Sequence, residues 1–99
     1  DLSTLKQRPA VVRSSDSHNV AGQDLVVAGI TSQFARYHDE RHSYLITGKE
    51  LHDAGLPKES VVRCGKILTI DQRLVRKVLG SLSARAMEQI VGEIHLVID

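Results

Sequence analysis

The sequence predicts a small, mainly β protein, with strands in its N-terminal part and helices in its C-terminal part. Several short runs rich in β-branched residues precede residue 70, and turn-forming residues bound each run. Beyond that position, apolar residues recur every three or four places, as they do along one face of a helix. We therefore expect a sheet that is covered on one side by an amphipathic C-terminal helix.

Length and composition indicate one globular domain over residues 1–99. A chain of 99 residues buries roughly 60 to 70% of its unfolded surface, which suffices for one modest core. No apolar run approaches the roughly 18 residues of a membrane helix, so we expect no membrane association. The single cysteine, Cys64, excludes an intramolecular disulfide and fits a reducing cytoplasm. A net charge of +1 does not by itself indicate nucleic-acid binding.

The predicted strands alternate with polar or glycine-containing connections. An 11-residue stretch, residues 32–42, is polar and without periodicity, and we expect a loop there or one short helical turn. Residues 51–60 contain Gly55 and Pro57, which favour an irregular connection. Residues 14–19 are loop by composition. The strands are predicted at Pro9–Arg13, Leu25–Ile30, Tyr44–Thr47 and Val61–Thr69, the last with a bend at Gly65.

Two helices are predicted after the last strand. The first begins at Thr69, whose spacing from Gln72 fits a capping box, and ends at Gly80. Its expected apolar face consists of Leu74, Val75, Val78 and Leu79. The second helix begins near Ser83 and continues almost to the C-terminus. Its expected apolar stripe consists of Ala86, Met87, Ile90, Val91, Ile94, Val97 and Ile98.

A set of short motifs resembles one protein family over nearly the whole chain. Arg8-Pro9 precedes the first predicted strand, and Ile30-Thr31-Ser32 ends the second. Ser60–Cys64 forms a Ser-Val-Val-Arg-Cys segment that precedes a Thr-Ile-Asp signature at 69–71. In their order and spacing, together with the C-terminal amphipathic helix, these motifs resemble the PemK/MazF family of type II toxin endoribonucleases.

The resemblance implies a fold, an activity and partners. The family fold is an SH3-like small β-barrel of the CcdB/MazF type with a C-terminal amphipathic helix, assembled as a homodimer. Members cleave single-stranded mRNA at short sequences without a metal or other cofactor, and they leave a cyclic phosphate. A cognate antitoxin keeps them silent in the cytoplasm. We therefore expect single-stranded RNA, an antitoxin protein and a second copy of this chain as partners.

The resemblance also implies catalytic residues, which are Arg8, Thr31 and Arg63. Arginine suits the stabilisation of a phosphate that gains charge, because its planar fork donates two parallel hydrogen bonds to phosphate oxygens. The very high pKa of arginine favours this electrostatic role over proton transfer. A threonine hydroxyl can donate to the same oxygens. Weaker substrate contacts are expected from Ser32, Gln33 and Lys66.

This chain departs from the family pattern at three places. An aspartate that is thought to act as general base commonly follows the cysteine, whereas this chain has Gly65. Leu68 replaces an arginine before the Thr-Ile-Asp signature. The chain also starts within the family's first loop, so we expect an N-terminally incomplete domain that lacks the first strand. These departures leave an alternative function open: a catalytically inactive module that binds antitoxin or RNA.

Other functions and sites are less favoured by the sequence. A CcdB-like gyrase poison is disfavoured because the chain has no tryptophan, whereas that branch ends in Trp-Gly-Ile.

His38 and His42 have helical i, i+4 spacing, but only His52 is available as a third ligand, so a solvated charged loop is the better interpretation. Cys64 lies on an apolar strand and is expected to be buried and inert. Tyr37 is expected either to contact a base or to pin its loop to the core.

Overall fold

The described part of the protein is built around a curled antiparallel sheet. The computed structural model describes residues 7–13 and 24–98. Its strands are β1 (Ala10–Val12), β2 (Asp24–Thr31), β3 (Ser43–Ile46) and β4 (Ser60–Asp71). They pair in the order β1-β2-β4-β3 and curl into half of a barrel. The mainly β fold class is thus confirmed, while the loop predicted at residues 14–19 lies outside the described residues.

β4 is one of the two central strands, and its pairing with the other, β2, is interrupted near Gly65. Ala28 lies opposite Ile67, but the next residue of β2, Gly29, lies opposite Arg63. Residues 64–66 of β4 therefore have no counterpart on β2, and the strand changes direction there. The bend predicted at Gly65 is confirmed, and it separates the motif-bearing half of β4 from its C-terminal half.

Two short helices connect the strands. α1 (Phe34–Tyr37) follows β2 and is the short helical turn predicted after Ser32. α2 (Gly48–Asp53) follows β3, where the sequence predicted only an irregular connection beyond residue 51. The helix starts at Gly48, whose φ of 60° lies in the left-handed region that favours glycine. The Tyr44 hydroxyl donates to the Glu50 carboxylate at 2.8 Å, which joins β3 to α2.

The helix predicted over residues 69–80 is wrong. β4 continues to Asp71, because residues 69–71 pair with residues 24–26 of β2. A single 3₁₀ turn, Gln72–Leu74, follows and is capped by the Asp71 carboxylate, which accepts from the Arg73 amide at 2.8 Å. Residues 75–83 are then irregular. Leu74 is 66% exposed and Val78 is 81% exposed, so the apolar periodicity does not mark a packed helix face.

Gly80 does not stop a helix but permits a close backbone contact. A Cβ atom at this position would lie 2.3 Å from the Asp53 carbonyl oxygen. The next residue, Ser81, donates its amide to that same oxygen at 3.1 Å. The segment 75–83 is therefore fastened to the end of α2, which explains why a residue without a side chain occupies position 80.

The C-terminal helix is confirmed as α3 (Ala84–Ile98), and it packs on one face of the sheet. The Ser83 hydroxyl accepts from the Ala86 amide at 3.1 Å and so caps its first turn. Ile90 and Ile94 are each 1% exposed. The predicted stripe ends early, because Ile98 is 60% exposed. The sheet side of this core consists of Val11, Ala28, Ile46, Val62 and Cys64.

The α-helices of the described residues are α1, α2 and α3. None of them within residues 7–13 and 24–98 is both long enough and apolar enough to span a bilayer.

Candidate functional site

The first half of β4 presents successive residues to opposite faces of the sheet. Val62 and Cys64 are fully buried in the core beneath α3. Arg63 lies between them and points the other way, with its Cζ atom 4.1 Å from the centre of the Tyr37 ring. Because Tyr37 belongs to α1, that helix and α3 lie on opposite faces of this part of the sheet. The candidate site occupies the α1 face.

The strand register brings the other two predicted catalytic residues to the same end of the sheet. Ala10 lies opposite Gly29, and the Ile30 amide donates to the Pro9 carbonyl at 3.1 Å. Continuing this antiparallel register places Arg8 opposite Thr31, and residues directly opposite each other share a face.

Thr31 is in turn close to Arg63 on the central strands. Thr31 pairs with Val61, and Arg63 lies two residues further along β4. Diagonal neighbours of this kind are roughly 7–8 Å apart. The register therefore assigns three residues that are distant in the sequence to the same end of one face. Arg8 is exposed, whereas Thr31 and Arg63 are partly buried.

The Thr31 side chain is held by the turn that follows it. Its hydroxyl oxygen accepts a hydrogen bond from the Gln33 amide at 3.1 Å. A hydroxyl that accepts in this way keeps its own hydrogen for donation. Ser32 and Gln33 are exposed. The turn therefore orients Thr31 as a hydrogen-bond donor and exposes the two predicted substrate contacts beside it.

Arg63 forms a two-pronged ion pair with Glu40, which the sequence reasoning did not single out. Its Nε donates to Glu40 Oε2 at 2.9 Å, and its Nη2 donates to Oε1 at 2.7 Å. The side chains are 23% and 28% exposed, respectively. A fork-to-fork pair of this kind restricts the guanidinium plane far more than a single contact would. With Tyr37 against one face of that plane, Arg63 is held in one orientation.

The charges around this pair are mainly positive. Hydrogen bonds from Arg63 lower the pKa of Glu40; burial opposes this shift, and the charges of Arg63 and Lys66 add to it. Glu40 is therefore a carboxylate at neutral pH. A second guanidinium, that of Arg36, lies 5.1 Å from the centre of the Tyr37 ring. One carboxylate is thus placed among three cations, which leaves an excess of positive charge on this surface.

The positions next to Arg63 differ sharply from one another. Cys64 is fully buried, and burial raises the pKa of its thiol to about 11, with smaller contributions from Glu93 and Glu40. The expected buried, inert thiol is confirmed. Gly65 is exposed, and a Cβ there would meet nothing within 4 Å. Lys66, the third predicted substrate contact, is exposed as well.

The two histidines of residues 38–42 have separate partners. The His38 ring stacks on Phe34 with 5.7 Å between ring centres. His42 Nδ1 lies 3.0 Å from a Glu93 carboxylate oxygen on α3. Within the described ranges, no group of three or more His, Cys, Asp or Glu side chains is placed to hold a metal ion.

Glu40 is the part of the site that sequence reasoning missed. It lies 23 residues before Arg63, within a charged segment that looks like an ordinary solvated loop. No local signal distinguishes it from Asp39, because the contact exists only after α1 folds over β4. Tyr37 was predicted to contact either a base or the core, and in the structure its ring lies against the guanidinium of Arg63.

Comparisons with known proteins show the family and the fold of this chain. Residues 3–98 match the family described as the PemK-like, MazF-like toxin of type II toxin-antitoxin systems. Among solved structures, the chain is similar to the Mycobacterium tuberculosis toxin MazF-mt6, with a TM-score of 0.74 and 20% sequence identity. That match covers 93% of this chain and 86% of the other. No curated protein sequence matches this chain.

Proposed function

We propose that this chain, which belongs to the PemK-like, MazF-like family of type II toxins, is a sequence-specific endoribonuclease that cleaves single-stranded mRNA without a metal. The observation that carries this proposal is the strand register that brings Arg8, Thr31 and Arg63 to one end of the sheet. Guanidinium groups and a hydroxyl so arranged form a binding site for one phosphodiester.

In the proposed reaction, the ribose 2′-oxygen attacks the neighbouring phosphorus. The bond from phosphorus to the 5′-oxygen of the next nucleotide breaks, which yields a 2′,3′-cyclic phosphate and a free 5′-hydroxyl. Arg8 and Arg63 neutralise the charge that builds up on the non-bridging oxygens, and Thr31 donates to one of them. The proton leaves the 2′-hydroxyl for solvent, because Gly65 carries no side chain to accept it, and solvent returns a proton to the leaving oxygen.

Ser32, Gln33 and Lys66 have supporting roles in this proposal. All three are exposed beside Thr31 or Arg63, where they can contact the nucleotides that flank the scissile phosphate. Lys66 also increases the positive charge near Glu40, and positive charge favours binding of the RNA backbone.

The family also supports a proposal about partners and location. We expect a cytoplasmic homodimer that a cognate antitoxin inhibits. Apolar side chains exposed in the described chain, such as Leu68 at 63% and Val78 at 81%, would lose contact with water in such assemblies. Light scattering of the purified protein tests the dimer, and a stable monomer would contradict it.

Cleavage of a labelled single-stranded RNA in the presence of EDTA tests the activity. We expect short products ending in a cyclic phosphate, and we expect no cleavage of the same sequence made as DNA, which lacks the nucleophilic 2′-oxygen. Arg8→Ala should abolish cleavage. The matched control is Arg73→Ala, which removes an exposed arginine that is paired with Asp71 on a different part of the surface.

The alternative function, a catalytically inactive module, makes a distinct prediction in the same assay. Gly65 favours this alternative, since no carboxylate follows Arg63-Cys64. Wild-type protein that binds the RNA or an antitoxin but releases no product would support the module and would contradict the proposed endoribonuclease.

A further inference from the structure

The guanidinium of Arg63 has two hydrogen-bonding edges, and the structure uses only one of them. An arginine side chain carries five N–H donors: two form a side edge (Nε and Nη2), two form an outer edge (Nη1 and Nη2), and the fifth, on Nη1, points toward Cδ. The Glu40 carboxylate accepts hydrogen bonds from the side edge, that is, from Nε and Nη2. Among the described residues, none accepts a hydrogen bond from Nη1. The outer edge, formed by Nη1 and the second hydrogen of Nη2, therefore keeps its donors for another group.

The face of the same guanidinium is also fixed. The Tyr37 ring lies 4.1 Å below its Cζ atom, a distance at which the ring attracts the cation. A carboxylate in the plane and an aromatic ring below it together restrict both the tilt and the rotation of the group. Tyr37 is the last residue of α1 and Glu40 follows it by three positions, so one segment of chain holds Arg63 in both directions.

We propose that Glu40 is a positioning residue for Arg63: it holds the side edge of the guanidinium so that the outer edge receives two oxygens of an RNA phosphate. This inference rests on the proposed function and adds a residue to it. Glu40 does not contact the reacting atoms. It acts through Arg63, which would otherwise sample several rotamers and bind the phosphate in several orientations.

The charge balance allows this arrangement to bind an anion. Glu40 neutralises one positive charge, but Lys66 acts on the same carboxylate and Arg36 lies over the Tyr37 ring. Arg8 adds a further cation through the strand register. A phosphate that approaches the outer edge of Arg63 therefore meets net positive charge, while the negative Glu40 lies along the adjacent side edge.

A second arginine in the molecule provides a matched control. Arg73 binds Asp71 in the same way, with Nη2 donating to Oδ2 at 2.7 Å and Nε donating to Oδ1 at 3.1 Å. That pair is local in sequence, and Arg73 is 82% exposed. Asp71→Asn therefore breaks an equivalent ion pair outside the site, and it should leave both RNA binding and cleavage unchanged.

A double-mutant cycle tests whether Glu40 acts through Arg63. Misplacing a catalytic group by about 1 Å can reduce a rate about a hundredfold, so we expect Glu40→Gln to reduce kcat by about tenfold to a hundredfold. Glu40→Asp, which keeps the charge, should recover part of that loss. In the Arg63→Ala background, Glu40→Gln should have no further effect. Additive losses in the double mutant would show that Glu40 acts independently of Arg63, and they would overturn the proposal.

A measurement that does not depend on cleavage separates this inference from the proposed function. The ¹⁵N–¹H NMR signal of Arg63 Nε should exchange slowly with water in the wild type and rapidly in Glu40→Gln. The affinity for a single-stranded oligonucleotide with 2′-deoxy sugars, which cannot be cleaved, should also fall in Glu40→Gln but not in Asp71→Asn.

The two proposals can therefore fail separately. If the wild-type protein does not cleave RNA but Glu40→Gln loosens Arg63 and weakens oligonucleotide binding, the positioning role stands and the nuclease activity fails. If the wild type cleaves and Glu40→Gln cleaves and binds equally well, the positioning role fails and the nuclease activity stands.

Discussion

The two faces of β4 show how one strand can carry an apolar core on one side and a polar candidate site on the other. Cys64 is fully buried beneath α3, where its thiol stays protonated and unreactive because burial raises its pKa to about 11. Arg63, the preceding residue, is 23% exposed and lies beneath α1 with both a carboxylate and an aromatic ring as partners. Successive side chains of a strand alternate between faces, so adjacent residues experience opposite environments.

The contrast extends to what holds each face together. The α3 face is a dry core in which Ile90 and Ile94 contribute by removing apolar surface from water. The α1 face also contains a fully buried apolar residue, Val61, but Arg63 is held there by directional contacts that are partly open to solvent. A change of side-chain volume in the apolar core lowers stability, whereas the polar cluster keeps hydrogen-bond donors that can bind a ligand. The first face should therefore govern folding, and the second should govern RNA cleavage.

The largest effect is expected from a cavity beneath α3. Ile90→Ala should lower the free energy of unfolding by about 2–5 kcal/mol, because the residue is 1% exposed and its neighbours cannot fill the space. Urea denaturation measures the loss. Leu96→Ala is the control on the same helix, since Leu96 is 70% exposed and its truncation should cost much less. Equal losses for the two variants would contradict the assignment of the core face.

The second largest effect is expected from a substitution on the α1 face. Arg63→Ala should lower kcat/KM for RNA about 10²- to 10³-fold, the loss typical of removing one group that stabilises developing charge. Its unfolding free energy should change little, because a partly exposed ion pair contributes only about 0–1 kcal/mol. Kinetics and urea denaturation of the same sample measure both quantities. A large loss of stability with unchanged cleavage would assign Arg63 to folding instead of catalysis.

A gain of activity is expected at the neighbouring position. Gly65→Asp supplies the carboxylate that the family resemblance places after the cysteine, and the structure leaves open space for it. General-base catalysis contributes about 10²–10⁴-fold in favourable geometry, so an increase of at least about tenfold in kcat is expected. The variant should also acquire a rising pH–rate profile through the pKa of the new carboxylate. Gly65→Asn, which has the same shape and no basic oxygen, is the control.

The smallest effect is a pH dependence of stability from the Arg63–Glu40 pair. The pKa of Glu40 is lowered in the fold from 4.5 by its hydrogen bonds with Arg63. The folded state thus holds fewer protons than the unfolded state, and the stabilisation present above pH 4.5 is lost as the pH falls through the lowered pKa. We expect less than about 1 kcal/mol, because the pair is partly solvated. Thermal unfolding from pH 6 to pH 3 should show a smaller acid loss in Glu40→Gln than in the wild type.

Local sequence patterns predicted some elements because nothing elsewhere in the fold competed with them. The apolar stripe and the Ser83 cap predicted α3. In the folded protein the stripe packs on the sheet and Ser83 caps the helix. The pattern over residues 69–80 predicted a helix for equally good local reasons. There, however, residues 69–71 pair with β2, and Gly80 packs against the end of α2. Backbone hydrogen bonds in the sheet outweighed a weak helical preference.

The site shows the same division between local and long-range information. The sequence by itself determined the fold class, the C-terminal helix, the burial of Cys64 and the motifs that carry Arg8, Thr31 and Arg63. Only the tertiary structure placed Arg8 opposite Thr31 and joined Glu40 to Arg63, because those neighbours depend on strand register and on the folding of α1 over β4. The periodicity of a sequence shows on which face of its own helix or strand a side chain lies. Contacts between residues that are distant in the sequence form only when those elements pack together.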